Sequence, residues 1–376
     1  MSRLCLNMIV KNEARVIRRC LASVRPFVSC WVIVDTGSTD GTQEMIRDAL
    51  QGVPGELYER PWKNFEHNRN EALALARGRA EFILLIDADD LLVAEPGFRL
   101  PALDADELQL RVRTGDVSYY RTQIVRSSLP WRYVGVTHEV IECATPHSTK
   151  KLEGLTLQTT EEGSRTTEGR KYREDVALLE EALKTEPNNA RYVFYLAQSY
   201  RGLGELDKAI ATYEKRAAMG GWAEEAWYAL YQIAQLKERA GHDRASVVEA
   251  YLRAFDDRPQ RAEPLCELAR YHRERAEYAL AHLYASNALA IPRPPDILFV
   301  QDSTYDWRCL DEYAVSAYYV GKIKESLDAC NKLLSSDKLP LQERARVEAN
   351  RALCRKHLES TTRADRNRKK RARRER

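Results

Sequence analysis

Asp87-Ala88-Asp89-Asp90 places three carboxylates directly after an uncharged apolar run, Phe82 to Ile86. Side chains at i and i+2 of an extended segment point the same way, so Asp87 and Asp89 present two hard oxygen donors with only Ala88 between them. Such a pair suits Mg2+ or Mn2+, which bind few protein carboxylates and complete their shell with water and substrate phosphate oxygens. A nucleotide diphosphate is the natural bridging group, because a departing diphosphate develops charge that a cation neutralises. Asp-x-Asp alone is common in surface turns; the buried strand before it gives it weight here. Asp35 closes a second apolar run, Trp31 to Val34. In open α/β sheets ligands bind outside the carboxyl ends of the strands, which puts Asp35 on the same edge as the acidic cluster. Asp90, just before Leu91, reads instead as a turn or capping residue.

The elements that must hold these groups alternate between strand and helix up to about residue 145, the pattern of a layered α/β sheet. Leu4 to Val10 predicts a first strand, and Glu13 to Val24 a helix with Val16, Ile17, Cys20, Leu21 and Val24 on one face. A helix is predicted from about Gly41, with Asp40 as N-cap and Gln43 as its box partner. Glu56 to Arg60 reads as a strand, His67 to Arg77 as a helix and Glu81 to Ile86 as the strand before the acids. Residues 108 to 113, 117 to 126 and 132 to 142 read as longer strands, which suits a partly antiparallel extension of the sheet.

From about residue 170 the chain turns helical and repetitive. In the segment 190 to 218, Leu196, Ala197, Tyr200, Gly204, Ala209 and Tyr213 occupy the small and large positions of a tetratricopeptide repeat. A looser unit keeps Tyr251, Ala254 and Pro259, and the next has Leu268, Ala269, Ala281, Ala285, Ala288 and Pro292. Pro259 and Pro292 stand 33 residues apart, against a repeat period of about 34. A fourth unit runs from Trp307 to Leu334, and residues 340 to 358 read as a terminal capping helix. Stacked helix pairs of this kind bury a continuous core and leave a concave face. That face suits a peptide or protein partner, a buttress for the first domain, or a homo-oligomer contact.

Composition narrows the class. Hydrophobic residues make up 44% and charged residues 31% of the 376, ordinary for a folded protein. The eight cysteines are scattered without any close pair, against a zinc site or a disulfide framework. Leu4 to Val10 is broken by Asn7 and followed at once by charge, unlike a signal peptide. No stretch approaches the roughly 18 apolar residues of a spanning helix, so the expected compartment is the cytoplasm. The net charge of +3 hides a basic end, since residues 363 to 376 carry nine Lys/Arg against Asp365 and Glu375. That end predicts a disordered tail able to touch nucleic acid, anionic lipid or an acidic protein. The resulting division is 1–168 as the α/β domain, 169–358 as the repeats and 359–376 as the tail.

Four stretches, "LNMIVKNEARVIRRCLASV", "VIVDTGSTDGTQEMI", "NRNEALALARGRAEFILLIDADD" and "WRYVGVTHE", together resemble family 2 glycosyltransferases of the GT-A fold, a Rossmann-like mixed sheet. The resemblance covers roughly residues 3 to 140 in order. Its continuation through "GRKYREDVALLEEAL" into tetratricopeptide repeats is similar to bacterial repeat-bearing members, a group that includes peptide S-glycosyltransferases. It implies inverting transfer of a sugar from a nucleoside diphosphate, a uridine diphosphate sugar first, with Mn2+ or Mg2+. Glu13 and Asp35 match positions that hold the base and ribose, and Arg69 matches an arginine near the donor. Asp87 and Asp89 become the metal motif, with Asp89 the direct ligand. His138 matches a position for a metal ligand, a pyrophosphate contact or a base, and Glu139 one for the base. An inverting transfer needs such a group to take the acceptor proton, with Asp116 next in order. Lys171 and Arg173 match basic residues that contact the diphosphate or simply charge a helix surface. One departure is Gln158, where related chains have a histidine able to complete the metal shell.

The leading expectation is therefore a metal-dependent inverting glycosyltransferase with a peptide or protein side chain as acceptor. Nucleic acid is the second acceptor class, motivated by the basic end. A tetratricopeptide scaffold with an inactive transferase domain and a phosphatase or nucleotidyltransferase using the same carboxylates are the competing classes.

Overall fold

The apolar runs become a mixed sheet in the computed structural model, which describes residues 3–160 and 170–374. Strands β1 (Leu4–Val10), β2 (Cys30–Asp35), β3 (Gly55–Glu59) and β4 (Phe82–Leu85) pair in parallel in the order β3-β2-β1-β4. The sheet continues from β4 through β7 (Val117–Arg126), β6 (Glu107–Thr114) and β10 (Thr149–Gln158) to β5 (Leu91–Ala94). β7 is antiparallel to both β4 and β6, and β10 is parallel to β6 but antiparallel to β5.

Alternation along β1 and β4 sorts side chains to two covered faces. Leu4, Leu6, Met8, Phe82 and Leu84 pack with Ile17, Leu21 and Val24 of helix α1 (Ile17–Val24) and Ile46 of α2 (Thr42–Ala49). Cys5, Val32, Ile83 and Leu85 pack on the other face with Leu73 and Ala76 of α3 (Phe65–Ala76). Burial on both faces explains why these strands read as continuous apolar runs. α3 starts where the Asn64 side chain accepts the His67 amide at 2.7 Å, an N-cap in the ordinary sense. Gly55 lies opposite Trp31 in the β2–β3 register, and a Cβ there would stand 2.2 Å from the indole ring. The ring crosses β3 only because position 55 has no side chain.

Three expectations need correction. The first helix begins at Ile17, not Glu13, because Asn12 takes a left-handed φ of 57° and the Glu13 carbonyl closes a turn with the Val16 amide. Asp40 is not the N-cap of α2; Gly41, with φ 88°, stands there. The Asp40 carboxylate instead accepts from the Thr42 amide and the Ala14 amide, and the Thr42 hydroxyl accepts from the Glu13 amide. That network knits the loop after β1 to the loop after β2. Finally, residues 132 to 142 are not one strand but a hairpin of β8 (Arg132–Val134) and β9 (Val140–Glu142), with residues 135–139 as the connecting turn.

The chain divides into two compact units, Met1–Gly221 with Ile297–Phe299, and Trp222–Asp296 with Val300–Arg376. The boundary expected at residue 168 lies outside the described residues. The first unit also holds α4 (Arg170–Thr185), α5 (Ala190–Leu203) and α6 (Leu206–Ala218). α5 and α6 form the first expected repeat, with Leu196, Ala197, Tyr200, Ala209 and Tyr213 buried. Gly204 ends α5 with φ 76°, a left-handed C-cap that glycine adopts without steric cost.

The second unit is helical. α7 (Ala223–Arg239) pairs with α8 (Arg244–Asp257), α9 (Glu263–Arg273) with α10 (Tyr278–Leu289), and α11 (Cys309–Tyr319) with α12 (Ile323–Ser335). Ala281, Ala285 and Ala288 are buried as the repeat pattern predicts. A fully buried ion cluster, Arg261 with Glu263 at 2.8 Å and with Asp296 at 3.1 Å, fixes the start of α9. Removing one partner would strand a buried charge, at a cost of about 3–5 kcal/mol. The capping helix expected over 340 to 358 continues as α13 (Leu341–Arg374), so the backbone is helical through most of the segment expected to be disordered. All eight cysteines are free.

Candidate functional site

The carboxyl ends of β1, β2 and β4 bring three loops to one edge of the sheet. Asp35, 1% exposed, ends β2. Its Oδ1 accepts from the Gly37 and Ser38 amides at 2.8 and 2.9 Å. Its Oδ2 is buried with no hydrogen-bond partner. A buried carboxylate oxygen left without a donor is costly, which marks it as an acceptor for a ligand N–H or O–H. Glu13 is half-buried in the adjoining loop, where its backbone joins the Thr42 network.

The acidic cluster and the turn between β8 and β9 meet through one arginine. Arg69, on α3, donates from Nη2 to Asp87 Oδ1 at 2.7 Å and holds Glu139 Oε2 at 3.6 Å from its Nε. Its guanidinium lies over the Tyr133 ring, 5.5 Å from the centroid. Burial works against the charge of Asp87, but Arg69 above all, with Arg121 and Lys171, holds that carboxyl below the usual range. Asp89 is half-buried, and its carbonyl accepts from Thr160 Oγ1 at 2.8 Å. Gln158 falls opposite Leu91 in the β10–β5 register, close along the chain to Asp89.

Asp90 does sit in a turn, its amide donating to the Asp87 carbonyl, but a strand rather than a helix follows. It is 3% exposed and pairs with Arg121 at 3.3 Å. Burial pushes its carboxyl up to about 7; Arg121 opposes this, while Asp87 and Asp89 add repulsion. The linkage has a definite sign. A carboxyl whose folded pKa lies above its unfolded value of about 3.9 stabilises the fold most when protonated. Wild type should therefore lose stability relative to Asp90→Asn as pH rises from about 4 through about 7. Urea unfolding of both proteins across that range checks this; parallel curves would refute it.

His138 sits at the turn with φ 52°. Its Nε2 faces Asp175 Oδ2 of α4 at 3.5 Å, and its ring stacks on Tyr195 of α5 at 4.0 Å and 7°. Arg191 donates twice to the His138 carbonyl, at 3.1 and 2.8 Å. Burial lowers the His138 pKa, Asp175 opposes, and Lys171 and Arg191 add to the lowering. The imidazole is thus neutral near pH 7.

The structure brings Asp87, Arg69, Glu139, His138 and Lys171 to one locus, with Asp89 beside it. Lys171 and Asp175 share a face of α4 by their i,i+4 spacing. Arg173 is exposed and lies about 200° round the helix from Lys171. Asp116 is exposed at the β6–β7 turn. The sequence does not single out Arg121, Tyr133, Asp175, Arg191 or Tyr195 as site residues, because each stands among other polar or aromatic residues of a regular strand or helix.

Among the described residues no group of three His, Cys, Asp or Glu side chains is gathered as a ready metal cage. The donor chemistry still fits a divalent cation that takes few protein oxygens. Arg69 already holds Asp87 Oδ1, so Asp89 would be the direct ligand, and Nδ1 is the His138 nitrogen left for one.

Residues 5–95 match the family model for glycosyl transferase family 2, a span that includes β1 to β5 and the acidic cluster. The chain is 28% identical over 326 residues to a TPR repeat-containing protein of Synechococcus elongatus, covering 77% of this chain and 76% of the relative. It is 27% identical over 217 residues to the SPbeta prophage-derived glycosyltransferase SunS of Bacillus subtilis, covering 54% of this chain and 50% of that protein. This chain therefore spans half the length of SunS. Solved structures with similarity include MamA, at TM-score 0.34 and 16% identity over 45% of this chain and 87% of that one. A TPR protein of Thermus thermophilus gives TM-score 0.33 and 19% identity over 48% and 91%. The family 2 glycosyltransferase match thus falls on the amino-terminal sheet, and the helices after it carry the repeat pattern read from the sequence. No helix among the described residues is long and apolar enough to cross a membrane.

Proposed function

We propose that the chain is a metal-dependent, inverting glycosyltransferase that moves a sugar from a nucleoside diphosphate, uridine diphosphate first, to a peptide or protein side chain. The observation that carries this reading is Arg69, which ties the acidic cluster to Glu139 on the sheet edge that also holds the orphaned Asp35 oxygen. Asp35 Oδ2 receives a donor from the nucleoside, and Glu13 lines the same loop. Asp89 would hold Mn2+ or Mg2+ with Asp87 behind it, and the cation would offset charge on the departing diphosphate. Lys171 adds positive charge at the same place. Glu139 takes the proton of the attacking acceptor group. The peptide acceptor is favoured because helical-repeat arrays present concave faces suited to chains.

Thermal shift with uridine diphosphate hexoses and Mn2+ tests the donor, since a ligand bound to the folded state raises its stability by mass action. Asp35→Asn keeps the Oδ1 acceptor for Gly37 and Ser38 but turns a donor towards the nucleoside. Loss of a hydrogen bond to a charged group, about 1.5–3 kcal/mol, corresponds to affinity weaker by roughly 10- to 150-fold. An unchanged donor titration in Asp35→Asn would remove this residue from the site. Failure of wild type to bind or turn over any nucleotide sugar would favour an inactive domain on a repeat scaffold. Product analysis separates the reading from a phosphatase or nucleotidyltransferase, because only a transferase yields a glycosylated acceptor plus nucleoside diphosphate. Binding to nucleic acid through the basic end would instead weaken steeply with salt.

A further inference from the structure

Outside the loops of the sheet edge, three residues of α4 and α5 converge on one histidine. Asp175 is 1% exposed, yet its carboxylate serves the turn between β8 and β9: it accepts from Thr137 Oγ1 at 3.1 Å and faces His138 Nε2 at 3.5 Å. Tyr195 covers the flat face of the His138 ring, and Arg191 grips its carbonyl. A non-glycine residue with φ 52° carries backbone strain. Arg191 and Tyr195 hold it there from the first repeat, so the helices after the sheet are part of the site's scaffold.

We propose that Asp175 is a positioning residue for transfer, fixing His138 as the Nε2–H tautomer and leaving Nδ1 as the nitrogen offered to substrate. The inference rests on the transferase reading above. A carboxylate only accepts, so its partner nitrogen must carry the proton, and a neutral imidazole then has its acceptor on the other side. The 3.5 Å separation is long for a hydrogen bond, as such contacts commonly are before substrate tightens them. Outer partners of this kind set both the tautomer and the ring orientation of a working histidine.

The test uses the full chain labelled with 15N-histidine, the His138 signals being assigned by their loss in His138→Asn. Long-range proton–nitrogen spectra are expected to show His138 as the Nε2–H tautomer in wild type and as a mixture in Asp175→Asn. Unchanged signals from the other histidines show that the variant is folded. With UDP-glucose and UDP-N-acetylglucosamine as donors in Mn2+, Asp175→Asn should lower kcat by about 10- to 100-fold. The donor KM should stay within about threefold, as for a group acting beyond the binding step. Asp175→Glu should recover part of kcat. A His138 spectrum indifferent to Asp175→Asn, or a changed spectrum with wild-type kcat, would overturn the assignment. If wild type turns over neither donor, the transferase reading suffers, and the spectra still decide whether Asp175 sets the tautomer.

Discussion

On the proposed metal-dependent transfer, Asp89→Ala is expected to lower donor turnover by about 10³-fold or more, the loss that follows when several kcal/mol of cation-mediated charge stabilisation disappear. The argument rests on a division of labour among three adjacent acids. Asp87 is already committed to Arg69 at 2.7 Å, and that arginine also faces Glu139. Asp90 is buried against Arg121. Asp89 is half-buried and supports the fold through its backbone carbonyl, which Thr160 binds. Alanine at 89 removes the carboxylate while leaving the carbonyl contact to Thr160 in place. Thermal melting without ligand should stay close to wild type, while stimulation by Mn2+ and Mn2+ binding measured by electron paramagnetic resonance should be lost. Wild-type turnover in Asp89→Ala would sink the metal assignment. Asp90→Asn is the control, with turnover kept and only the pH dependence of stability altered.

The strands that deliver these acids were legible because both of their faces are covered. Trp31–Val34 and Phe82–Leu85 have no solvent side to fill with polar residues, so each run announces itself and its terminal acid. The loops were harder to read. Asn12, Gly41 and His138 take left-handed backbone conformations, and one such residue ends a pattern without changing local composition. The turn at 135–139 therefore reads as part of one strand, and Asp40 reads as the cap whose place Gly41 fills. Arg121 and Asp175 carry no local signal. One is a charge in an alternating strand and the other a charge in an amphipathic helix, and only the partners supplied by the fold mark them. The basic end shows the opposite error. Its charge density suggests disorder, yet Arg, Lys and Ala are strong helix formers, and α13 runs on to Arg374.

Glu139→Gln is expected to lower kcat by about 10²- to 10⁴-fold, the range for loss of a general base, while donor affinity stays within about threefold. Glu139 is a strong candidate because of where the turn holds it. Its side chain is 7% exposed and faces Arg69, which reaches to Asp87 on the other side. A carboxylate there lies within one arginine of the acidic cluster. The same ion pair offers a second role, since Glu139 could serve by orienting Arg69 towards the diphosphate. The two roles separate kinetically. Glutamine keeps an oxygen for Arg69 Nε but cannot accept a proton, so a base is lost while the arginine stays docked on Asp87. If kcat falls and donor affinity holds, the proton role stands. If donor affinity falls in step with kcat/KM, the carboxylate acts through Arg69. Wild-type rates would move the search to His138, whose ring is 30% exposed and neutral. Asp116 would not be next, because the β6–β7 turn carries it five residues beyond Arg121, on the order of 15 Å along the strand.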